Sequence, residues 1–228
     1  MPLRMKRKPQ TFDVPIQDMV LRITAPPDYY EEARAAAMGF WEQLQAYSIR
    51  NADFRTSKRP LPAVPDDAPE VCRRMIETAT QVGVGPMFTF AGALTEHVGR
   101  TLVPFVPEIV IVNGGDYFIA TRKPSKLTIH QRHDEPISVV IRPERCPMGV
   151  YTTMGSLHSP ADTADGVAVL ADSCILADAA AAGVMAILRR PESFPGALSF
   201  LRRLKGVYGG VVVQGERIGV AGGVEISS

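Results

Sequence analysis

Residues 110–120 read VIVNGGDYFIA. Two apolar runs flank Asn113-Gly114-Gly115-Asp116. Asn-Gly between apolar runs is the strongest short-range signal for a β-hairpin. A plain turn needs one glycine, not two followed by an acid. Successive glycines also let backbone amides come close to a ligand and form an anion-accepting concavity. The stretch therefore reads either as a turn alone or as a turn that borders a site.

Strands extend on both sides of this turn, over Glu108–Val112 and Asp116–Thr121. Short apolar runs at Lys126–Gln131, Ile137–Arg142, Gly149–Thr153 and Asp165–Ala171 predict four more strands. Toward the N-terminus, a glycine loop (Val82 to Met87) feeds a helix from about Phe90, apolar at Leu94, Val98 and Leu102. A helix before it runs from near Asp67 to Gln81 and stops at Gly83. Residues 51–66 are polar and proline-rich, hence a loop. The segment PDYYEEARAAAMGFWEQLQAYSI places Tyr30, Ala33, Ala37, Trp41, Leu44 and Tyr47 on one face of a long amphipathic helix, with Glu31 and Glu32 suited to its first turn. MVLRITA (19–25) alternates as a strand and is blocked by Pro26-Pro27. Toward the C-terminus, SCILADAAAAGVMAIL (173–188) predicts a slim, alanine-rich helix capped by Ser173. A helix near Ser199–Lys205, strands at Gly209–Gln214 and Glu216–Val220 joined at Gly215, and an edge strand in the tail GGVEISS complete the chain.

Helices come in bunches rather than alternating with strands. That order predicts an α+β fold with largely antiparallel sheets. The glycine patterns exclude a dinucleotide fingerprint and a P-loop: GVGPMF lacks the third glycine, and no Gly-Lys-Ser/Thr occurs. Residues 1–18 read as a flexible basic start, and 19–228 as a single domain with room for two similar halves.

The chain has 228 residues, enough to bury a core without staples. A net charge of +1 gives no reason to expect nucleic acid or a membrane surface as partner. No apolar run is long enough for a membrane span. The basic start lacks an apolar segment behind it, which predicts a cytoplasmic protein. The three cysteines, Cys72, Cys146 and Cys174, lack metal spacing and read as reduced, mostly buried small hydrophobes.

Two further places could carry chemistry. TTMGSLHSPADTADG (152–166) gathers hydroxyls, His158, Asp162 and Asp165 in one loop. His158 could act as a general base, and the two aspartates could bind a hard cation; a solvated loop with local Asx and Ser turns explains the same residues. His97, His130 and His133 read as structural. Asp178 lies in the first turns of a helix that should be mostly buried. A buried carboxylate must be paired, hydrogen-bonded or metal-bound. It is either a cap-like aspartate or a cation ligand.

Three patches together resemble the ApbE-like superfamily, and within it a small cytoplasmic branch: VGVGPMFTFAGALTEHVG (82–99), VNGGDYFI (112–119) and GSLHSPADTADGVAVLADSCILADAAAAG (155–183). The resemblance extends to the first helix and to NADFRTSKRPL. It implies a fold related to the T-fold, with antiparallel sheets backed by helices. It implies FAD or FMN as cofactor, Mg²⁺ near the diphosphate, and transfer of FMN to a serine or threonine hydroxyl of an acceptor protein. Carried onto this chain, Asn113, Gly114, Gly115, Asp116 and Ser159 would border the cofactor. His158 and Asp178 would be catalytic, and Asp178 would hold the metal. The chain departs from the pattern where a second metal ligand is expected: the helix threonine falls at Ala182, and alanine cannot coordinate a cation. The glutamate usual before NGGD is Val112, and a usual cysteine is Tyr151.

Three functions stay open at this level. The first is an enzyme of ApbE type acting on a flavin nucleotide. The second is another enzyme on the same scaffold, linked by resemblance to sulfur and homocysteine metabolism, for which Cys146 is the candidate thiol. The third is a non-catalytic ligand-binding or structural homo-oligomer. All three take a small anionic ligand.

Overall fold

The computed structural model describes residues 8–25, 29–129, 136–153 and 164–227. Its frame is an eight-stranded sheet. In spatial order it holds β1 (Gln10–Ile16), β2 (Met19–Ala25), β3 (Ile109–Asn113), β4 (Asp116–Ala120), β7 (Met148–Thr152), β8 (Gly166–Ala171), β9 (Val207–Gln214) and β10 (Arg217–Gly222). Every neighbouring pair in it is antiparallel. β5 (Ser125–Ile129), β6 (Ile137–Ile141) and β11 (Ile226–Ser227) form a second, three-stranded sheet. The α+β class and the antiparallel pairing follow the sequence order.

The described residues form six α-helices: α1 (Tyr30–Arg50), α2 (Ala52–Thr56), α3 (Glu70–Val82), α4 (Phe90–Leu102), α5 (Cys174–Ile187) and α6 (Phe194–Arg203); α1, α4, α5 and α6 pack on the large sheet, and α2 and α3 pack on other helices. Side chains alternate across a strand, so each central strand feeds two cores. On β8, Val167, Val169 and Ala171 face the helices, while Ala168 and Leu170 join Ile129, Val139 and Ile141 of the small sheet. The large sheet is therefore the middle of three layers. Strands covered on both faces lose the polar alternation of a surface strand, which is why β8 is apolar throughout. Tyr47, Phe40, Phe54 and Phe118 are among the largest fully buried side chains; each contributes roughly 1.5–3 kcal/mol or more by leaving water.

The differences from the sequence reading have local causes. β1 lies inside the expected flexible start: residues 10–16 pair along their whole length with β2. The basic residues up to Arg7 lie outside the described residues. The buried face of α1 is Ala33, Ala37, Phe40, Leu44 and Tyr47; Trp41 is half-buried at its edge, against Phe90. A short helix, α2, interrupts the expected loop because Phe54 is pulled under Tyr47. α3 starts at Glu70 behind Pro69, and Gly83 ends it with φ +91°. α6 begins five residues earlier than its apolar run suggests, with a proline in its first turn. The tail does form the expected edge strand, β11, which pairs with β6 in the small sheet. No helix among the described residues is long and apolar enough to cross a membrane.

Close approach of α5 to the sheet is built on glycine. A Cβ at Gly149 on β7 would sit 2.2 Å from the Cys174 backbone nitrogen. A Cβ at Gly39, inside α1, would meet nothing within 4 Å. Gly149→Ala should therefore cost about 3 kcal/mol through backbone displacement. Gly39→Ala should stabilise by about 0.5–1 kcal/mol through helix propensity and a less disordered unfolded chain. Urea unfolding midpoints of the two variants check the contrast, and equal shifts would contradict it.

Candidate active site

The NGGD hairpin forms as the sequence predicts. Asn113 pairs with Asp116 across the turn, and Gly114 takes φ +58°. Gly115 is needed for a different reason: a Cβ there would meet the Thr152 carbonyl oxygen at 2.2 Å. Its own carbonyl accepts the Thr152 N–H at 2.7 Å. The turn is thus seated on β7. Ile109 and Ile111 of β3, and Phe118 and Ala120 of β4, belong to the helix-side core. By alternation, Asn113 and Asp116 face the helices too. Asn113 donates from Nδ2 to the Ala91 carbonyl at 3.4 Å.

Ala91 is the second residue of α4, and the next residue makes the central contact. The Gly92 N–H, one of the unpaired amides of a helix start, donates to Asp178 Oδ2 at 3.0 Å. Only glycine permits this, because a Cβ at Gly92 would lie 2.4 Å from the Cys174 carbonyl oxygen. The glycine loop ahead of α4 is equally tight: a Cβ at Gly85 would collide with the Ser57 carbonyl. The RTSKRP loop, the GVGP loop, the NGGD hairpin and the alanine helix, far apart in sequence, therefore meet in one place.

One turn further along α4, Glu96 is fully buried. Its Oε2 accepts the N–H of Cys174 at 2.7 Å and that of Ile175 at 3.4 Å. Its Oε1 accepts Arg74 Nη2 at 2.5 Å and Arg100 Nε at 2.6 Å. Ser173 caps the same helix start, accepting the Leu176 N–H at 3.1 Å. Burial works against the Glu96 charge, yet the two guanidiniums outweigh it and hold its carboxyl below the usual range.

Asp178 and Asp116 have no such cations. Burial pushes the Asp178 carboxyl up to about 7, against the downward pull of the Gly92 N–H. Burial, and then the nearby charge of Asp178, push Asp116 well above its usual range. Asp116 Oδ1 is buried and has no hydrogen-bond partner among the described residues. Among those residues no group of three or more His, Cys, Asp or Glu side chains could hold a metal. Ala182, one turn beyond Asp178, is half-buried and offers no oxygen.

His158, Ser159 and Asp162 lie outside the described residues, as do His130 and His133. Asp165 is used elsewhere: its Oδ2 accepts the Gly215 N–H of the β9–β10 turn at 2.7 Å. His97 stacks on Phe40 with ring centroids 5.6 Å apart. Cys146 is half-buried, and burial pushes its thiol up, the opposite of an activated nucleophile. Burial pushes Cys72 up to about 12. Glu96, Arg74, Arg100 and Gly92 escaped the sequence reading. The signal was present in α4: Gly92 and Gly99 bracket Glu96 at helical spacing, marking a closely packed face on which an acid must have partners.

The raised Asp178 carboxyl has a consequence for stability. The folded state keeps the proton through the interval from 3.8 to about 7, while the unfolded state releases it near the lower end. Stability from this group is thus fully present below the unfolded value and lost as pH rises through about 7. Asp178→Asn keeps the acceptor for Gly92 without the charge. It should be more stable than wild type at pH 8 by on the order of 2–4 kcal/mol, the difference vanishing near pH 4. Melting curves across pH in metal-free buffer test this; an equal difference at both pH values would contradict it.

Residues 3–193 match the protein family described as AbpE bacteria. A UPF0280 protein of Methanopyrus kandleri is 32% identical over 213 residues, covering 90% of this chain and 86% of its own. Another, from Methanosarcina acetivorans, is 28% identical over 216 residues, covering 92% and 85%. Among solved structures, the apo flavinyl transferase ApbE of Pseudomonas stutzeri superposes with a TM-score of 0.61 at 14% identity, over 94% of each chain. The ApbE protein of Thermotoga maritima gives 0.60 at 10% identity, over 93% of this chain and 97% of its own. At such identities the likeness is one of fold, and it matches the helix-backed antiparallel architecture described above. Family match and fold agree, and the chain belongs to the AbpE bacteria family within the ApbE-like superfamily.

Proposed function

We propose that this chain binds FAD with a divalent cation between the NGGD hairpin and the α4–α5 pair, and transfers FMN to a serine or threonine hydroxyl of an acceptor protein. The observation that carries the reading is the hydrogen bond from Gly92 N–H to Asp178, which joins two of the motifs beside the third. A flavin is also in keeping with the fold shared with ApbE flavin transferases.

The donor set suits the cation. Mg²⁺ commonly takes one or two carboxylates, with phosphate oxygens and water completing its octahedron. Here two buried carboxylates lie within electrostatic reach of each other without a neutralising cation among the described residues, and one oxygen has no hydrogen-bond partner among them. Asp178 would hold the metal. A bound divalent cation would offset the charge of the diphosphate during transfer.

The remaining roles fall to the chain itself. The amides around Gly114 and Gly115 would cradle phosphate, with Asn113 and Ser159 bordering the cofactor. The acceptor hydroxyl oxygen attacks the FMN phosphorus. A new phosphorus–oxygen bond forms as the bond to the bridging oxygen breaks, and AMP departs with that electron pair. His158 takes the hydroxyl proton.

A second reading, a protein that holds its ligand without turnover, is favoured by Ala182 and by Val112 in place of the usual glutamate. The raised thiol of Cys146 counts against the sulfur-carrier alternative.

Calorimetric titration of FAD, with and without Mg²⁺, tests the proposal. Affinity should be in the range of about 1–100 μM, typical of small-ligand recognition, strengthen with Mg²⁺, and fall at least about tenfold in Asp178→Ala. Retention of FAD without FMN transfer to any hydroxyl-bearing acceptor would select the second reading, and no binding at all would remove the flavin reading.

A further inference from the structure

The NGGD turn ends in an acid that the turn itself does not need. An asparagine would close the same hairpin, and Asp116 makes no cap or salt bridge among the described residues. Its carboxylate is 3% exposed, and Oδ1 has no hydrogen-bond partner. A buried carboxylate left this way is costly unless something positive completes it.

Its direction is fixed by the strand. Tyr117 and Ile119 point into the small-sheet core, and Phe118 and Ala120 into the helix-side core. Asp116 therefore points toward the helices, where Asp178 lies within electrostatic reach. Its position is also rigid: the β3–β4 register pairs it with Asn113, and the adjacent turn is bound to β7 through Gly115 and Thr152. Asp178 is anchored as firmly by the Gly92 N–H. Two fixed, buried carboxylates within electrostatic reach of each other form a natural seat for a divalent cation, whose charge they would balance.

We infer that Asp116 is the second protein ligand of the cation held by Asp178, at a site where Ala182 offers no hydroxyl. The inference rests on the metal-dependent reading above and places the second protein oxygen at the end of the β3–β4 hairpin. The site then keeps two protein ligands without a hydroxyl at position 182.

Mn²⁺ serves as the probe, its binding followed by loss of the free-ion electron paramagnetic resonance signal, with and without FAD, on the full chain. Asp116→Asn, nearly isosteric, should weaken Mn²⁺ binding by about tenfold or more, and adding Ala182→Thr to it should recover part of that loss. In the wild-type background Ala182→Thr should leave affinity within about threefold, because the second ligand position is already filled; this arm does not depend on the folding of Asp116→Asn. Asp116→Asn binding Mn²⁺ as wild type does, while Asp178→Asn does not, would overturn the role of Asp116 and keep the metal reading. A gain of about tenfold from Ala182→Thr alone would overturn it equally. Wild type that binds no Mn²⁺ in either condition would remove the metal reading itself, and this inference with it.

Discussion

Glu96 holds the architecture of the site in one carboxylate. It projects from α4, receives Arg74 from α3 and Arg100 from its own helix, and satisfies the first amides of α5. Those amides would otherwise end unpaired inside the core, which the fold could not tolerate. Because Glu96 fixes where α5 begins, it also fixes where Asp178 stands, one turn later and facing Gly92. The glycines at 92 and 149 make the arrangement sterically feasible, since a side chain at either would push α5 away. Removing one partner of such a buried charged network is far more damaging than removing an exposed ion pair.

The same pair of helices carries two kinds of buried acid, and their surroundings separate their roles. Glu96 is ringed by guanidiniums and amides, so its charge is stabilised and its carboxyl is held low. Asp178 and Asp116 receive one amide between them, so burial dominates and both are raised. A paired carboxylate is architecture. Two unneutralised ones in a pocket are the usual mark of a functional site, because a protein keeps such a cost only where a ligand, proton or cation repays it.

This division separates what the fold requires from what a site requires. What the fold needs is spacing: glycine where backbones touch, a capped α5, and a hairpin that closes against β7. These demands constrain size and backbone angle more than chemistry. Ligand positions are freer, since a cation accepts oxygen from whichever element can reach it.

The sequence by itself determined the fold class, most element positions and two of the three acids, Asp116 and Asp178. Hairpin chemistry at Asn113-Gly114, helix periodicity and the stop at Gly83 are local effects, expressed in a few neighbouring residues, and so remain legible. β1 was missed because its alternation of Phe12, Val14 and Ile16 is short and carries Pro15, and pairing with β2 is what makes it a strand. α6 was misplaced because Phe194 is buried against strands that follow it in the chain. The tertiary structure alone decided which acids are neutralised. Glu96 and Asp178 look alike in sequence, each an acid in an apolar helix. Their difference lies in Arg74, Arg100, Gly92 and Asp116, brought together from α3, α4 and β4, and electrostatics in a dry interior depends on distance in space rather than along the backbone.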